Sequence, residues 1–159
     1  MLSPFNSSIE TGIRALVILD SVFPTNLDLQ RIVEYDYLTV HTGDAGGPSS
    51  IHAPLPLRTG ELLVRRKIIE DGINLMMTRN LIIYYPSDDG LRYQSTDQAG
   101  AFLTSLNSEY ILKLRNRANW VTHQFSNYTD KELFIVTQKL FDKWTTQFEP
   151  IIPSKGNNK

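Results

Sequence analysis

Residues 59–96 constrain the fold most, because a helical pattern runs directly into a strand–turn–strand pattern. In the first part, residues at helical spacing form a stripe that is apolar except at Arg66: Leu62, Arg66, Ile69, Ile73, Met76 and Met77. Residues 81–85 are strand formers, residues 86–90 have turn chemistry, and residues 91–94 alternate like a returning strand. A long helix followed at once by a hairpin indicates the second half of a winged helix-turn-helix.

Single residues mark where this helix begins, packs and ends. Thr59 has the chemistry of an N-cap. Gly72 costs about 1 kcal/mol relative to alanine inside a helix, so we expect it to mark a close packing contact. Asn80 is suited to end the helix in the left-handed backbone region.

Further helices are predicted on both sides of this unit. Cap residues at 6–8 precede an apolar helical pattern that includes Ile9, and Phe23-Pro24 ends it. Asp28 is a good N-cap for a second helix that fades near Val40. Three more helices are expected to start near 96–97, at 108 and at 129, the last with a capping box formed with Glu132.

The fold class is therefore mainly α with a small β-hairpin, a winged helix-turn-helix-like domain with additional C-terminal helices. We divide the chain into a winged-helix-like core over 6–96, a C-terminal helical extension packed on it over 97–149, and a flexible tail over 150–159.

Composition excludes several functional classes. The 159 residues contain no cysteine, which rules out disulfides, thiolate zinc sites and a cysteine nucleophile. The first residues lack a secretory pattern, and the longest apolar run, Ala15–Leu19, is too short to span a membrane. We therefore expect a cytoplasmic protein without a membrane partner.

The net charge of −1 conceals an uneven distribution. Residues 1–57 hold two basic and six acidic residues (−4), residues 58–126 nine and seven (+2), and residues 127–159 five and four (+1). Phosphate contacts dominate the affinity of DNA-binding domains, which are usually far more basic. The charge therefore argues against a tight DNA binder that works alone.

The loop over 41–58, with three glycines and three prolines, is long for a compact domain. His41, Asp44 and His52 could bind zinc or assist catalysis. Their spacing matches no metal motif, and the alternative is that they hydrogen-bond the turning backbone. The glycines do not indicate a phosphate-binding loop, because no strand precedes them and the loop has no lysine. We predict no catalytic residue, no metal ligand and no cofactor.

Basic residues give the best signal for nucleic-acid binding. The candidates lie on the third helix, at its end and on the hairpin: Arg65, Arg66, Lys67, Arg79 and Arg92. Acidic residues interrupt this patch, and Arg66 falls on the apolar stripe. A solvated or partner-facing surface therefore remains the alternative. Phe141 and Trp144, in the aromatic series of the last helix, fit a core or a subunit interface.

Several runs together resemble the small middle component of bacterial ABC three-component systems. They are Ile13–Leu16, Asp36–Leu38, His41–Asp44, Gly46–Pro48, Pro54–Pro56, Arg58–Arg66, Gly72–Met76 and Arg79–Ile82. The similarity covers roughly residues 5–145. Asn80 departs from the pattern, where glycine is expected, but asparagine also tolerates the left-handed region.

The resemblance implies a non-catalytic accessory subunit in an anti-phage or anti-plasmid defence complex, of which Lamassu is the best-known type. An SMC/Rad50-like ATPase subunit and a nuclease-type effector subunit would be its partners in a hetero-oligomer, with DNA reached through the complex. We expect partner contacts at the long loop and the last helix: His41, Asp44, His52, Arg58, Phe141 and Trp144. The alternative is a winged-helix DNA-binding transcription regulator.

Overall fold

A computed structural model describes residues 7–52 and 61–148, with side chains described for 7–52 and 64–142. These residues form six α-helices and a small antiparallel sheet. The helices are α1 (Ser8–Ser21), α2 (Leu29–Val40), α3 (Glu61–Thr78), α4 (Ala99–Ser105), α5 (Glu109–Gln124) and α6 (Asp130–Phe148). The strands are β1 (Leu27–Asp28), β2 (Ile82–Ser87) and β3 (Gly90–Ser95), and a 3₁₀ helix covers Thr42–Ala45. A mainly helical chain with a β-hairpin is confirmed.

Helix starts follow the predicted capping chemistry. The side chains of Ser7, Asp28 and Ser108 accept hydrogen bonds from backbone amides at the starts of α1, α2 and α5. At α6 the Glu132 amide donates to the Thr129 hydroxyl, and the Thr129 amide donates to the Glu132 carboxylate. These four starts are confirmed, whereas the predicted cap at Thr59 lies outside the described residues.

Helix α1 lies at the centre of the molecule. Residues Ala15–Leu19 are all buried, because α1 contacts α2, α3, α4 and α5 around its circumference. Its closest neighbour is α3, and a β-carbon built on Gly72 would lie 2.5 Å from the Gly12 nitrogen. The expectation of a close contact at Gly72 is confirmed, since only glycines let the two backbones approach this far.

The sheet has the order β1-β3-β2, with both neighbouring pairs antiparallel. Strands β2 and β3 form the predicted hairpin around a two-residue turn, and Gly90 after the turn has φ +117°. Asn80, with φ 59°, ends α3 in the left-handed region as expected. Strand β1, which pairs Leu27 with Tyr93, was missed because two residues are too short to show an alternating pattern.

Two sequence expectations need correction, and two stay open. The fourth helix begins at Ala99 rather than at residues 96–97, since a turn precedes it. Ile9, expected on the apolar face of α1, is 52% exposed because it lies in the first turn, at the edge of the packed region. One core cluster includes residues of α1–α3 and of α4–α6. The division at residue 97 stays a prediction, and the tail over 150–159 lies outside the described residues.

Within the described residues, no helix combines the length and the apolar character needed to cross a bilayer.

Candidate functional site

An ion cluster formed by Arg14, Asp36 and Arg65 lies where α1, α2 and α3 meet. The Arg14 Nε donates to Asp36 Oδ1 at 2.8 Å, and Arg65 Nη2 donates to Asp36 Oδ2 at 2.6 Å. The Arg14 and Asp36 side chains are 2% and 1% exposed, and Arg65 is 18% exposed. Each helix contributes one charge, so the cluster fixes the three helices relative to one another.

The two guanidinium groups keep the Asp36 carboxylate ionised. Burial alone raises the pKa of this carboxyl, but the charges of Arg14 and Arg65 outweigh burial and lower the pKa to about 2. A carboxylate with so low a pKa is a poor general base at neutral pH. Its role in the fold is to neutralise arginines that would otherwise be buried without a counter-charge.

Aromatic and imidazole side chains surround the ion cluster. Tyr37 stacks on Phe141 with ring centroids 4.6 Å apart, and the His41 ring lies 5.2 Å from the Tyr37 ring. The His52 Nε2 lies 3.0 Å from the Tyr110 hydroxyl, which also forms a hydrogen bond with Arg14. A polar network therefore runs from α2 through α1 to α5 and the loop after α2.

Both histidines are held neutral. Burial and the neighbouring Arg65 lower the pKa of His41 to about 3, and burial and Arg14 lower the pKa of His52 to about 4. At neutral pH neither imidazole is poised to exchange a proton. The described residues contain no group of three or more His, Cys, Asp or Glu that could hold a metal ion.

Hydrogen bonds and packing hold the loop after α2 in place beside this network. The Thr42 hydroxyl donates to the Pro48 carbonyl at 2.7 Å, and the amides of residues 51 and 52 both donate to the Val40 carbonyl. The Trp120 ring of α5 lies so close that a β-carbon on Gly47 would meet it at 2.6 Å. Residues 42–52 are therefore held against the end of α2 and against α5, and His52 at the end of this stretch joins the polar network.

The predicted partner-binding residues fall into two groups. His41 and Phe141 contact Tyr37, and His52 contacts Tyr110, both beside the ion cluster. Asp44 lies half-buried in the 3₁₀ helix. Arg58 and the side chain of Trp144 lie outside the described residues. The structure brings part of this set together, while partner binding itself stays a prediction.

The predicted nucleic-acid residues do not form one free cationic face. Arg65 belongs to the ion cluster, Arg66 donates to Gln30 at 2.6 Å, and Lys67 pairs with Asp71 at 3.1 Å. Arg92 donates to the side chain of Asn26. Arg79 is exposed at the end of α3. Four of these five side chains are thus already paired with protein groups.

Sequence reasoning missed Arg14, Asp36, Tyr37 and Tyr110 as members of the site. A signal was present, since Arg14 adjoins the apolar run Ala15–Leu19 and Asp36 lies between hydrophobic positions of α2. A charged residue in such a position is rarely buried unless it is paired.

A cleft of about 500 Å³ opens on another side, between α2, the sheet and the start of α6. Two arginines line it, and both are already bonded. Arg31 donates to Asp130 at 2.8 Å and to the Tyr128 carbonyl, and Arg92 is held by Asn26. Among the described residues that line the cleft, both guanidinium groups are therefore already paired.

Comparison with known proteins identifies the family. Residues 4–147 match the family model described as "ABC-three component (ABC-3C) system Middle Component 2". The match covers most of the chain, and the chain therefore belongs to this family. No match was found among curated proteins or among solved structures.

Proposed function

We propose that this middle component is a non-catalytic adaptor that bridges or restrains an SMC/Rad50-like ATPase and an effector subunit in a bacterial defence complex. The family match over residues 4–147 carries the proposal, because a middle component of a three-component system has partner subunits. The identity of those partners, the defence role and the cytoplasmic location belong to the proposal.

Element order supports a winged-helix scaffold for the adaptor. Three helices, with β1 between the first two, precede the β2–β3 hairpin, and β1 pairs with β3. This element order agrees with that expected of a winged helix, in which the third helix would be the recognition helix and the hairpin the wing. The pairing of Arg65, Arg66, Lys67 and Arg92 with protein groups favours a protein-facing use of that scaffold over a transcription regulator.

The electrostatics of the site support the non-catalytic part. Asp36 stays ionised between two arginines, and both histidines stay neutral across the physiological range. These groups hold helices and the 42–52 loop together, and their protonation does not change near pH 7. The loop and Phe141 then present a rigid surface for a partner.

Co-purification tests the adaptor role. The chain, tagged at one terminus, is co-expressed with the proteins encoded beside it, and the eluate is identified by mass spectrometry. We expect a large coiled-coil ATPase and a third subunit in stable proportion. An eluate that holds the tagged chain alone, with both neighbours expressed and soluble, overturns the proposal.

A variant separates the adaptor from an enzyme. Asp44→Asn with His52→Gln removes one carboxylate and one imidazole while it keeps the size and polarity of both side chains. We expect phage protection by the complete system to change only as far as the association of the double variant with its partners changes. Loss of protection in a double variant that still folds and still co-purifies would favour catalysis in the loop.

A further inference from the structure

The largest group of exposed apolar side chains in one described element lies on the β2–β3 hairpin. Ile83 is 39% exposed, Tyr84 55%, Tyr85 42% and Leu91 49%. Alternation places Ile83 and Tyr85 on one face and Tyr84 and Leu91 on the other, since Tyr84 pairs with Tyr93 and Leu91 with Pro86. The outer half of the hairpin therefore exposes apolar surface on both faces.

Strand β2 lies at the edge of the sheet, because the order is β1-β3-β2. The two-residue turn closes on Ser87 and Gly90, so this pair exchanges both backbone hydrogen bonds. Hydrogen-bonded pairs recur at every second residue, so Tyr85 and Ile83, two and four residues before Ser87, also bond to β3. The backbone amide and carbonyl of Tyr84, which lies between them, therefore face away from β3. Pro86 lies two residues after Tyr84, so its backbone nitrogen also faces away from β3, and a residue without an N–H is tolerated there.

Natural edge strands are usually protected by lysines, by proline, by inward-pointing charges or by being very short. Strand β2 has six residues and no charged side chain, and its one proline, Pro86, lies near the end next to the turn. The apolar edge from Ile82 to Tyr85, which no charge or proline protects, suits the addition of a strand from another polypeptide, in which backbone bonds give affinity and alternate side chains give specificity.

Charge decides what kind of segment fits. The charged residues between positions 82 and 91 are Asp88 and Asp89, at the tip of the hairpin. A wing that contacts DNA places its tip near phosphates, which two carboxylates would repel. A second copy of the chain is also disfavoured as the partner. Symmetric pairing of two β2 strands about Tyr84 would set Pro86 of each copy opposite Ile82 of the other, and each proline lacks the N–H that this pair would need for its hydrogen bond.

We propose that the β2 edge receives an extended, apolar segment with basic residues, supplied by one of the partner subunits. The segment pairs with the Tyr84 backbone, packs its alternate side chains against Tyr84 on one face of the sheet and against Ile83 and Tyr85 on the other, and places its positive charge beside Asp88 and Asp89. This inference rests on the adaptor role proposed above and adds to it the docking element and the chemistry of the partner.

Two variants of the full chain test the proposal in the co-purified complex. Tyr84→Pro removes the amide that faces the open edge, and Tyr84→Phe is its control because it keeps the backbone. Asp88→Lys with Asp89→Lys reverses the charge of the tip. Its matched control is Asp97→Lys with Glu109→Lys, which makes the same change of four charge units at exposed positions away from the tip.

We expect the tip reversal to weaken association with one partner subunit by about tenfold or more at low salt, and the loss to shrink as salt rises. The matched control should bind within about twofold of the unaltered chain. Tyr84→Pro should weaken the same partner, and Tyr84→Phe should not. Hydrogen exchange should show protection of the Tyr84 amide only in the complex.

The outcomes are distinct. A complex of undiminished strength with the tip reversal, and an unprotected Tyr84 amide, overturns this inference and leaves the adaptor role intact. Dimerisation of the isolated chain that Tyr84→Pro abolishes assigns the edge to a second copy, and so overturns it too. Failure to recover any partner overturns both proposals.

Discussion

Replacement of Asp36 by asparagine is the sharpest test of the ion cluster. The amide has nearly the same shape as the carboxylate but carries no charge. In the folded protein it leaves the Arg14 guanidinium, 2% exposed, without its counter-charge, and the Arg65 guanidinium only partly solvated. The unfolded chain, in which both arginines are hydrated, is little affected, so the cost falls on the folded state.

The expected loss of unfolding free energy at pH 7 is about 3–5 kcal/mol, the range for breaking a buried ion pair from one side. Typical domains have only about 5–15 kcal/mol in total. The part of this loss that depends on pH follows from the pKa of Asp36, which is ordinarily 3.8 and is about 2 in the folded protein. At about 1.4 kcal/mol per pKa unit, ionisation of Asp36 contributes about 2 kcal/mol of this stability.

The sign follows from the lowered folded pKa. The contribution is complete above the unfolded pKa of 3.8 and disappears as the pH falls toward the folded pKa of about 2. About half of it should be lost by pH 3. The Asp36→Asn variant lacks the contribution of this carboxylate, so its free energy of unfolding should fall less between pH 5 and pH 3 than that of the unaltered chain.

Urea unfolding followed by the fluorescence of the two tryptophans measures these differences. Asp97→Asn, at an exposed position, is the control and should change stability by less than about 0.5 kcal/mol. Adding Arg14→Met to Asp36→Asn should cost less than the sum of the single changes, since it removes the uncompensated charge. A loss below about 1 kcal/mol for Asp36→Asn, or strict additivity, would refute the reasoning.

Two further changes test backbone geometry by the same unfolding assay. Gly72→Ala should destabilise by about 1–3 kcal/mol despite its better helix propensity, since its β-carbon would lie 2.5 Å from the Gly12 nitrogen. Gly100→Ala, whose β-carbon would be 3.7 Å from Asp20, should be neutral or stabilising, and equal effects at both sites would contradict this account. Asn80, with φ 59°, should make Asn80→Ala less stable than Asn80→Gly by about 1–2 kcal/mol, and the reverse order would be inconsistent with a left-handed helix end.

Local features of the fold were predictable because their signals lie within a few residues. The caps at Ser7, Asp28 and Ser108 act on amides three residues ahead, and the left-handed stop at Asn80 acts on its own backbone. The hairpin could be read from strand formers around a Gly-containing turn. Strand β1 could not be predicted, because two residues are too few to show an alternating pattern and they form a strand only by pairing with β3.

The candidate site also combines features that the sequence predicts with features that depend on the tertiary structure. The sequence by itself determined the helices, the hairpin and its acidic tip, and the presence of a long loop with two histidines. The tertiary structure decided that Asp36 joins Arg14 and Arg65, which lie 22 and 29 positions away. It decided also that Arg65 pairs with Asp36 inside the fold and that β2 is an edge strand of the described sheet. Burial and pairing depend on which distant segments meet, so no local pattern specifies them.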